Sequence, residues 1–173
     1  MKRVLSALCC IAVCSMPLLA QKKASAKTAM SDQQFVDFAA QTDMVEVNLG
    51  TLAQTNASAQ SVKDYAQMLI TDHTNDFNHL YDVAHQANLT RPDAIDTANN
   101  KSMIGPFQKL KGEAFDRRYI HDMIAGHTAA IATYKKEAAD AENPDVKSYA
   151  EETIPTLQKH LDGAKALVKA KTK

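Results

Sequence analysis

From Asp32 onward, apolar residues recur with a helical period of three to four rather than the period of two that marks a strand. Four runs carry the pattern. The first starts where Ser31-Asp32-Gln33-Gln34 reads as a capping box, a hydroxyl and an amide that each satisfy the other's backbone N–H. Its stripe is Phe35, Phe38, Ala39, Val45, Leu49, Leu52 and Ala53. The second follows the break Asn56-Ala57-Ser58 and carries Val62, Ala66, Leu69, Phe77, Leu80 and Ala84. The third runs from about Gly112 to Ala141, with Ile120, Met123, Ile131, Tyr134 and Ala138 on one face. The fourth opens at Asn143-Pro144, a cap followed by proline at the first helical position. Its stripe is Val146, Ala150, Leu157, Leu161, Ala164 and Val168, and Pro155 inside it predicts a kink.

The connections differ in length. The first and second runs, and the third and fourth, are joined by a few residues each, which makes two antiparallel hairpins. Between the hairpins lies a long polar stretch, about Asn88 to Lys111, containing Arg91-Pro92 and Gly105-Pro106. One long connection among short ones is how ferritin-like bundles are wired. The pattern predicts an all-α, ferritin-like four-helix bundle over residues 31–170, with a simple up-down bundle as the competing form. Five glycines, five prolines and no tryptophan agree, being too little punctuation for a many-stranded barrel or sandwich.

Ahead of the helices stands a different kind of segment. Lys2 and Arg3 precede an apolar run from Val4 to Val13 and on to Leu18-Leu19-Ala20, the charged and apolar regions of a secretory signal peptide. Residues 1–20 are expected to be removed, with cleavage as late as Ala26 the alternative, and 21–30 to form a disordered linker. That places the mature chain in the periplasm or cell envelope. All three cysteines, Cys9, Cys10 and Cys14, fall in this segment, and none follows the small residue a lipoprotein signal requires. The mature chain is then thiol-free, without disulfides or cysteine nucleophiles. No later stretch is apolar enough to span a membrane as a helix, and no ten-residue alternating segments suggest a membrane barrel.

Twenty basic and twenty acidic side chains balance, so nothing in the charge favours nucleic acid. Lys165, Lys169, Lys171 and Lys173 read as a solvated basic face, with weak attraction to anionic lipid the functional alternative. Met44, Met68 and Met103 are scattered and read as gap-filling rather than as a copper-binding methionine cluster.

The candidate chemistry lies in the six histidines. On a helical wheel His79, His85 and His121 point away from their stripes, whereas His73, His127 and His160 fall within theirs. The first run offers no histidine but places Glu46 in its apolar sector, so each helix sends one metal-capable residue inward. Glu46 and His73 lie about 15 and 21 Å from the first hairpin turn at 1.5 Å per residue, and His127 and His160 near the middles of their helices, which puts all four in one layer. Three imidazoles and a carboxylate would suit one transition-metal ion, zinc, iron or copper, rather than calcium or magnesium. The same four residues also satisfy the requirement for a buried structural polar network. Asp72, at the edge of the second stripe, and Asp116, inward on the third run but three turns from His127, are candidate supporting groups. For Asp72 the alternative is solvation, and for Asp116 a polar contact near the bundle end.

Several stretches resemble one bacterial family: Glu46-Val47-Asn48-Leu49-Gly50-Thr51-Leu52-Ala53, Val62-Lys63-Asp64-Tyr65-Ala66-Gln67-Met68 with Asp72-His73, Phe115-Asp116-Arg117-Arg118-Tyr119 with His127, and Ile154-Pro155-Thr156-Leu157 with His160. It is the exported domain-of-unknown-function family four-one-four-two, often labelled "predicted outer membrane protein". The resemblance covers about Asp32 to Leu167 and implies a ferritin-like four-helix bundle without a catalytic assignment. Ferritin di-iron sites need Glu-x-x-His on two helices, but Ile70 and Leu157 stand three residues before His73 and His160. Ferroxidase chemistry is therefore not expected, and no nucleophile or base points to another enzyme. The readings that remain are a metal-binding bundle and a non-catalytic envelope or stress-response module with structural histidines.

Overall fold

A computed structural model describes residues 30–171 of the chain. The expected signal peptide, the cysteines, most of the expected linker and Lys173 lie outside the described residues. Within them the chain is all-helical: α1 Asp32–Asn56, α2 Gln60–Gln86, α3 Thr97–Asn99, α4 Gly112–Asp140 and α5 Pro144–Lys171. None is long and apolar enough to cross a membrane.

The helix ends form where the sequence places its caps. Ser31 accepts the Gln34 N–H while Gln34 accepts the Ser31 N–H, the reciprocal capping box. Asn143 accepts from the N–H groups of Asp145 and Val146 to start α5. α2 stops where Asn88 takes a left-handed conformation at φ 56° and the Leu89 N–H turns back to Ala84 at 2.7 Å. α5 runs through Pro155 without a break. Pro155 lies on the exposed face of the helix.

Each hairpin turn is held by an acid from another helix. Asp32 of α1 receives the N–H groups of Glu142 and Asn143 in the α4–α5 turn. Asp116 of α4 receives the N–H groups of Ser58 and Ala59 and the Ser58 hydroxyl in the α1–α2 turn. The second arrangement fixes the residues that lead into α2, whose N-cap Ala59 offers no side-chain cap.

The stretch expected to be a long polar connection is partly helical. After Asp96 caps α3, a π turn spans Asn100–Ile104 and a 3₁₀ turn spans Gly105–Phe107. It buries Ile104 and Phe107, the latter edge-on to Phe115 with ring centres 5.7 Å apart. Two apolar residues three apart are too few to register as a periodic run, so tertiary packing rather than local propensity sets this segment.

The core divides in two. Phe35, Val36, Leu80, Tyr134 and Tyr149 anchor one apolar cluster; Val62, Leu69, Phe107, Phe115 and Tyr119 anchor the other. Between them runs a polar layer of Asp43, Glu46, His73, His127 and His160, each 7% exposed or less. α1 packs along α2 and α4 along α5, α2 meets α5, and α1 and α4 touch more sparingly.

Two helix-interior glycines answer to different constraints. A Cβ on Gly50 would stand 2.7 Å from Ile70 Cγ1 and 3.2 Å from the Ala66 carbonyl, so the close approach of α1 and α2 requires its absence. A Cβ on Gly126 would meet nothing within 4 Å. Gly50→Val is expected to lower stability by about 1–3 kcal/mol through overpacking. Gly126→Ala is expected to raise it by about 0.5–1 kcal/mol by removing glycine's backbone entropy. Thermal unfolding of the two variants should move Tm in opposite directions.

Candidate metal centre

Three imidazoles meet in the polar layer, each from a different long helix. His73 on α2, His127 on α4 and His160 on α5 are all 3% exposed or less. Their ring centres stand 5.1 to 5.9 Å apart, and one nitrogen of each lies within 4.8 Å of the other two. The tightest approach is His127 Nε2 to His160 Nδ1 at 3.3 Å.

The outer nitrogens decide what the inner ones are. His73 Nδ1 lies 2.8 Å from Asp43 Oδ1, His127 Nδ1 2.9 Å from the Met123 carbonyl, and His160 Nε2 3.0 Å from Asp72 Oδ2. Carbonyls and ionised carboxylates only accept, so His127 donates to Met123 and His160 to Asp72. A neutral imidazole has a single N–H. With that proton spent outward, His127 Nε2 and His160 Nδ1 are bare lone pairs. His73 Nε2 is buried with no hydrogen-bond partner, and the 3.3 Å contact sets these two lone pairs against each other.

Ionisation agrees with this assignment. Burial, reinforced by the His73 charge, pushes His127 down to about 3. Burial likewise takes His160 down to about 4, against the pull of Asp72. Both are therefore neutral at pH 7. His73 is also opposed by burial, but its hydrogen bond to Asp43 and the charges of Asp43 and Glu46 hold its pKa above the usual histidine value. Burial lifts Asp43 to about 7, so this pair keeps one proton between its members into the neutral range. Asp72 goes the other way. Its partial burial is outweighed by hydrogen bonds from His160 and Lys159, which hold it below the usual carboxylate range.

The residues singled out in the sequence therefore separate. His73, His127 and His160 come together. Glu46 is buried in the same layer, and its pKa is raised by burial while the nearby His73 charge opposes the rise. Its Oε2 has no hydrogen-bond partner, and its carboxylate falls outside the three-imidazole group. Asp72 touches His160 directly and also receives Lys159 at 3.2 Å. Asp116 does not support the histidines. Eleven residues from His127, about 16 Å along α4, it binds the α1–α2 turn instead. His79, His85 and His121 are exposed, as expected from the wheel.

Asp43 was missed. It lies three residues before Glu46 and in line with Ala39 and Ala40, so the wheel already puts it inside. A stripe defined by apolar residues passes over a carboxylate in its middle.

With the geometry in hand, the relatives can be placed. The sequence matches the family described as Domain of unknown function (DUF4142) over residues 18–167, and the chain belongs to that family. A search of curated proteins finds no significant match. Among solved structures, "CopM in the Cu(II)-bound form" is similar with a TM-score of 0.68 and 16% identity, over 83% of this chain and 99% of that one. "CopM in the Ag-bound form (by co-crystallization)" follows at a TM-score of 0.62 and 17% identity, over 81% and 96%. "Crystal structure of DUF305 fragment from Deinococcus radiodurans" reaches a TM-score of 0.68 at 14% identity, over 80% and 95%. At these identities the likeness is one of fold.

The neutral histidines carry a pH dependence. In the unfolded chain His127 titrates near 6.5, so between about 6.5 and 3 the unfolded state binds the additional proton. Stability is fully present above that window and is lost as pH falls through it. In urea denaturation of metal-free protein, His127→Gln is expected to lose about 2 kcal/mol less between pH 7 and 4.5 than the unaltered chain. Equal losses would contradict the buried neutral state.

Proposed function

We propose that this member of the DUF4142 family is an exported, ferritin-like four-helix bundle that takes one late transition-metal ion into the layer formed by His73, His127 and His160. The observation that carries the reading is the 3.3 Å separation of two bare imidazole nitrogens whose rings are each fixed by an acceptor on the far side. Two nitrogens bound 2.0–2.1 Å from one ion at a tetrahedral angle stand about 3.3 Å apart. Facing lone pairs at that distance repel unless a cation lies between them. The outer acceptors Asp43, Met123 and Asp72 have the form of the second layer that orients metal-bound histidines and raises their basicity.

The donor set selects the metal class. Three imidazoles suit copper and zinc, and copper stands highest in the general order of divalent affinities. Structures of the same fold hold Cu(II) and silver, which supports a soft or borderline ion here. Iron is less well served, because the bridging carboxylates of a di-iron site are replaced by Ile70 and Leu157. The buried carboxylates Asp43 and Glu46, with Asp72, supply the negative charge that a divalent ion needs in a buried layer. Glu46, buried in the same layer but outside the three-imidazole group, adds negative charge beside the ion. Export rests on the charged and apolar segments at the N-terminus.

A metal-free polar network is the second reading, favoured by the closed outer hydrogen bonds. It leaves His73 Nε2 and Glu46 Oε2 unpaired in the core.

Titration of metal-free protein lacking a histidine tag should show one copper(II) per chain, with His73→Ala and His127→Ala each abolishing that site. Asp43→Asn should keep the stoichiometry and weaken affinity by about 10- to 100-fold. Substoichiometric metal, unchanged by either histidine substitution, would sink the metal reading.

A further inference from the structure

A cleft of about 570 Å³ opens between α1, α4 and the connection, and its lining includes both Glu46 and His127. Three features set it apart. Its charged lining residues are Asp37, Glu46 and Asp96, with no lysine or arginine among the described residues. Glu46 is 7% exposed and lines the cleft with Oε2 unpaired, a buried acceptor without a donor. The α4 wall is built of small residues, Gly126, Ala129, Ala130 and Thr133, spaced along one helical face.

Gly126 is the most telling of these. It sits in mid-helix, where glycine costs about 1 kcal/mol relative to alanine. No neighbour requires the absence of a side chain, since a Cβ there would meet nothing within 4 Å. What the glycine leaves is open space directly beside His127. Gly50, by contrast, is explained by packing alone.

The opposite approach has none of the three core histidines in its lining. A depression of about 410 Å³ between α2 and α5 is lined by the carboxylates of Asp72, Asp76 and Glu152 and by Lys159. There Asp72 is engaged by both His160 and the Lys159 ammonium, which places a positive charge at the mouth.

Resting on the metal-binding reading, we propose that the cleft between α1 and α4 is the route by which a metal cation reaches and leaves the three histidines. Gly126 keeps it open, and Glu46 is the carboxylate that hands the ion to His127. A hydrated cation is drawn by Asp37 and Asp96 at the rim and exchanges water for the Glu46 carboxylate. It then exchanges that carboxylate for neutral imidazole nitrogens. At His127 and His160 lone pairs replace one another at the metal, and the proton held by the His73–Asp43 pair leaves to solvent when His73 coordinates.

The test is kinetic. Copper(II) is mixed by stopped flow with full-length, metal-free, untagged protein, and then withdrawn with excess EDTA; affinity is measured by competition at equilibrium. Gly126→Leu, which fills the cleft from a position with room for a Cβ, should slow loading and removal alike by about tenfold or more. Its Kd and its stoichiometry of one should stay close to those of the unaltered chain. Ala129→Leu, on the same wall, should do likewise and serves if Gly126→Leu lowers helicity. Asn75→Leu, in the opposite depression, should leave both rates unchanged. Normal rates in Gly126→Leu and Ala129→Leu, or slowing confined to Asn75→Leu, would overturn the route while the histidine site stands. Failure of the unaltered chain to take up copper would remove site and route together.

Discussion

A neutral imidazole has one proton to give, and in this protein His127 and His160 both give it outward. The Met123 carbonyl and Asp72 each claim one, so the nitrogens that these two rings turn toward each other are left as acceptors with no donor between them. That proton count governs the chemistry. Moving the His127 proton inward to bond His160 would set a bare Nδ1 against the Met123 carbonyl at 2.9 Å. Moving the His160 proton inward would set a bare Nε2 against the ionised Asp72. Every internal solution relieves one repulsion by creating another, whereas a cation at the centre relieves the inner one and disturbs no outer bond.

The fold is what makes the count binding. A polar layer between two apolar clusters is largely shielded from solvent, so each nitrogen depends on a fixed partner. The rings sit on three long helices, and the ends of those helices are tied by bonds that cross the molecule. Asp32 holds the α4–α5 turn and Asp116 holds the α1–α2 turn, which fixes the hairpins at opposite ends of the histidine layer. Tyr65 adds a tie within the layer, its hydroxyl donating to the His160 carbonyl at 2.9 Å. Side chains carried this way are held more tightly than loops would hold them, which is what metal coordination demands.

Much of this could be read in the sequence, because helical period and caps are local. The four long helices follow from their stripes, the ends of α1 and α5 from Ser31 and Asn143, and the convergence of His73, His127 and His160 from wheel position and depth. What escaped depends on partners distant in sequence. Phe107 packs on Phe115 and Ile104 joins the same apolar cluster, which no local pattern reveals. Asp116 was placed inward correctly, but a wheel gives direction and not the turn waiting there. Asp43 was legible in principle and hidden by a search for apolar residues. The tautomers were not legible at all, since they follow from distances between helices.

The most direct test is nitrogen NMR of the histidines in metal-free protein near pH 7. Long-range proton–nitrogen correlations identify which nitrogen of each neutral ring carries its proton. The account predicts that His127 is protonated at Nδ1 and His160 at Nε2, leaving His127 Nε2 and His160 Nδ1 bare across their 3.3 Å contact. A proton on either of those inner nitrogens, shared between the two rings, would contradict it and make the layer a self-sufficient hydrogen-bonded network.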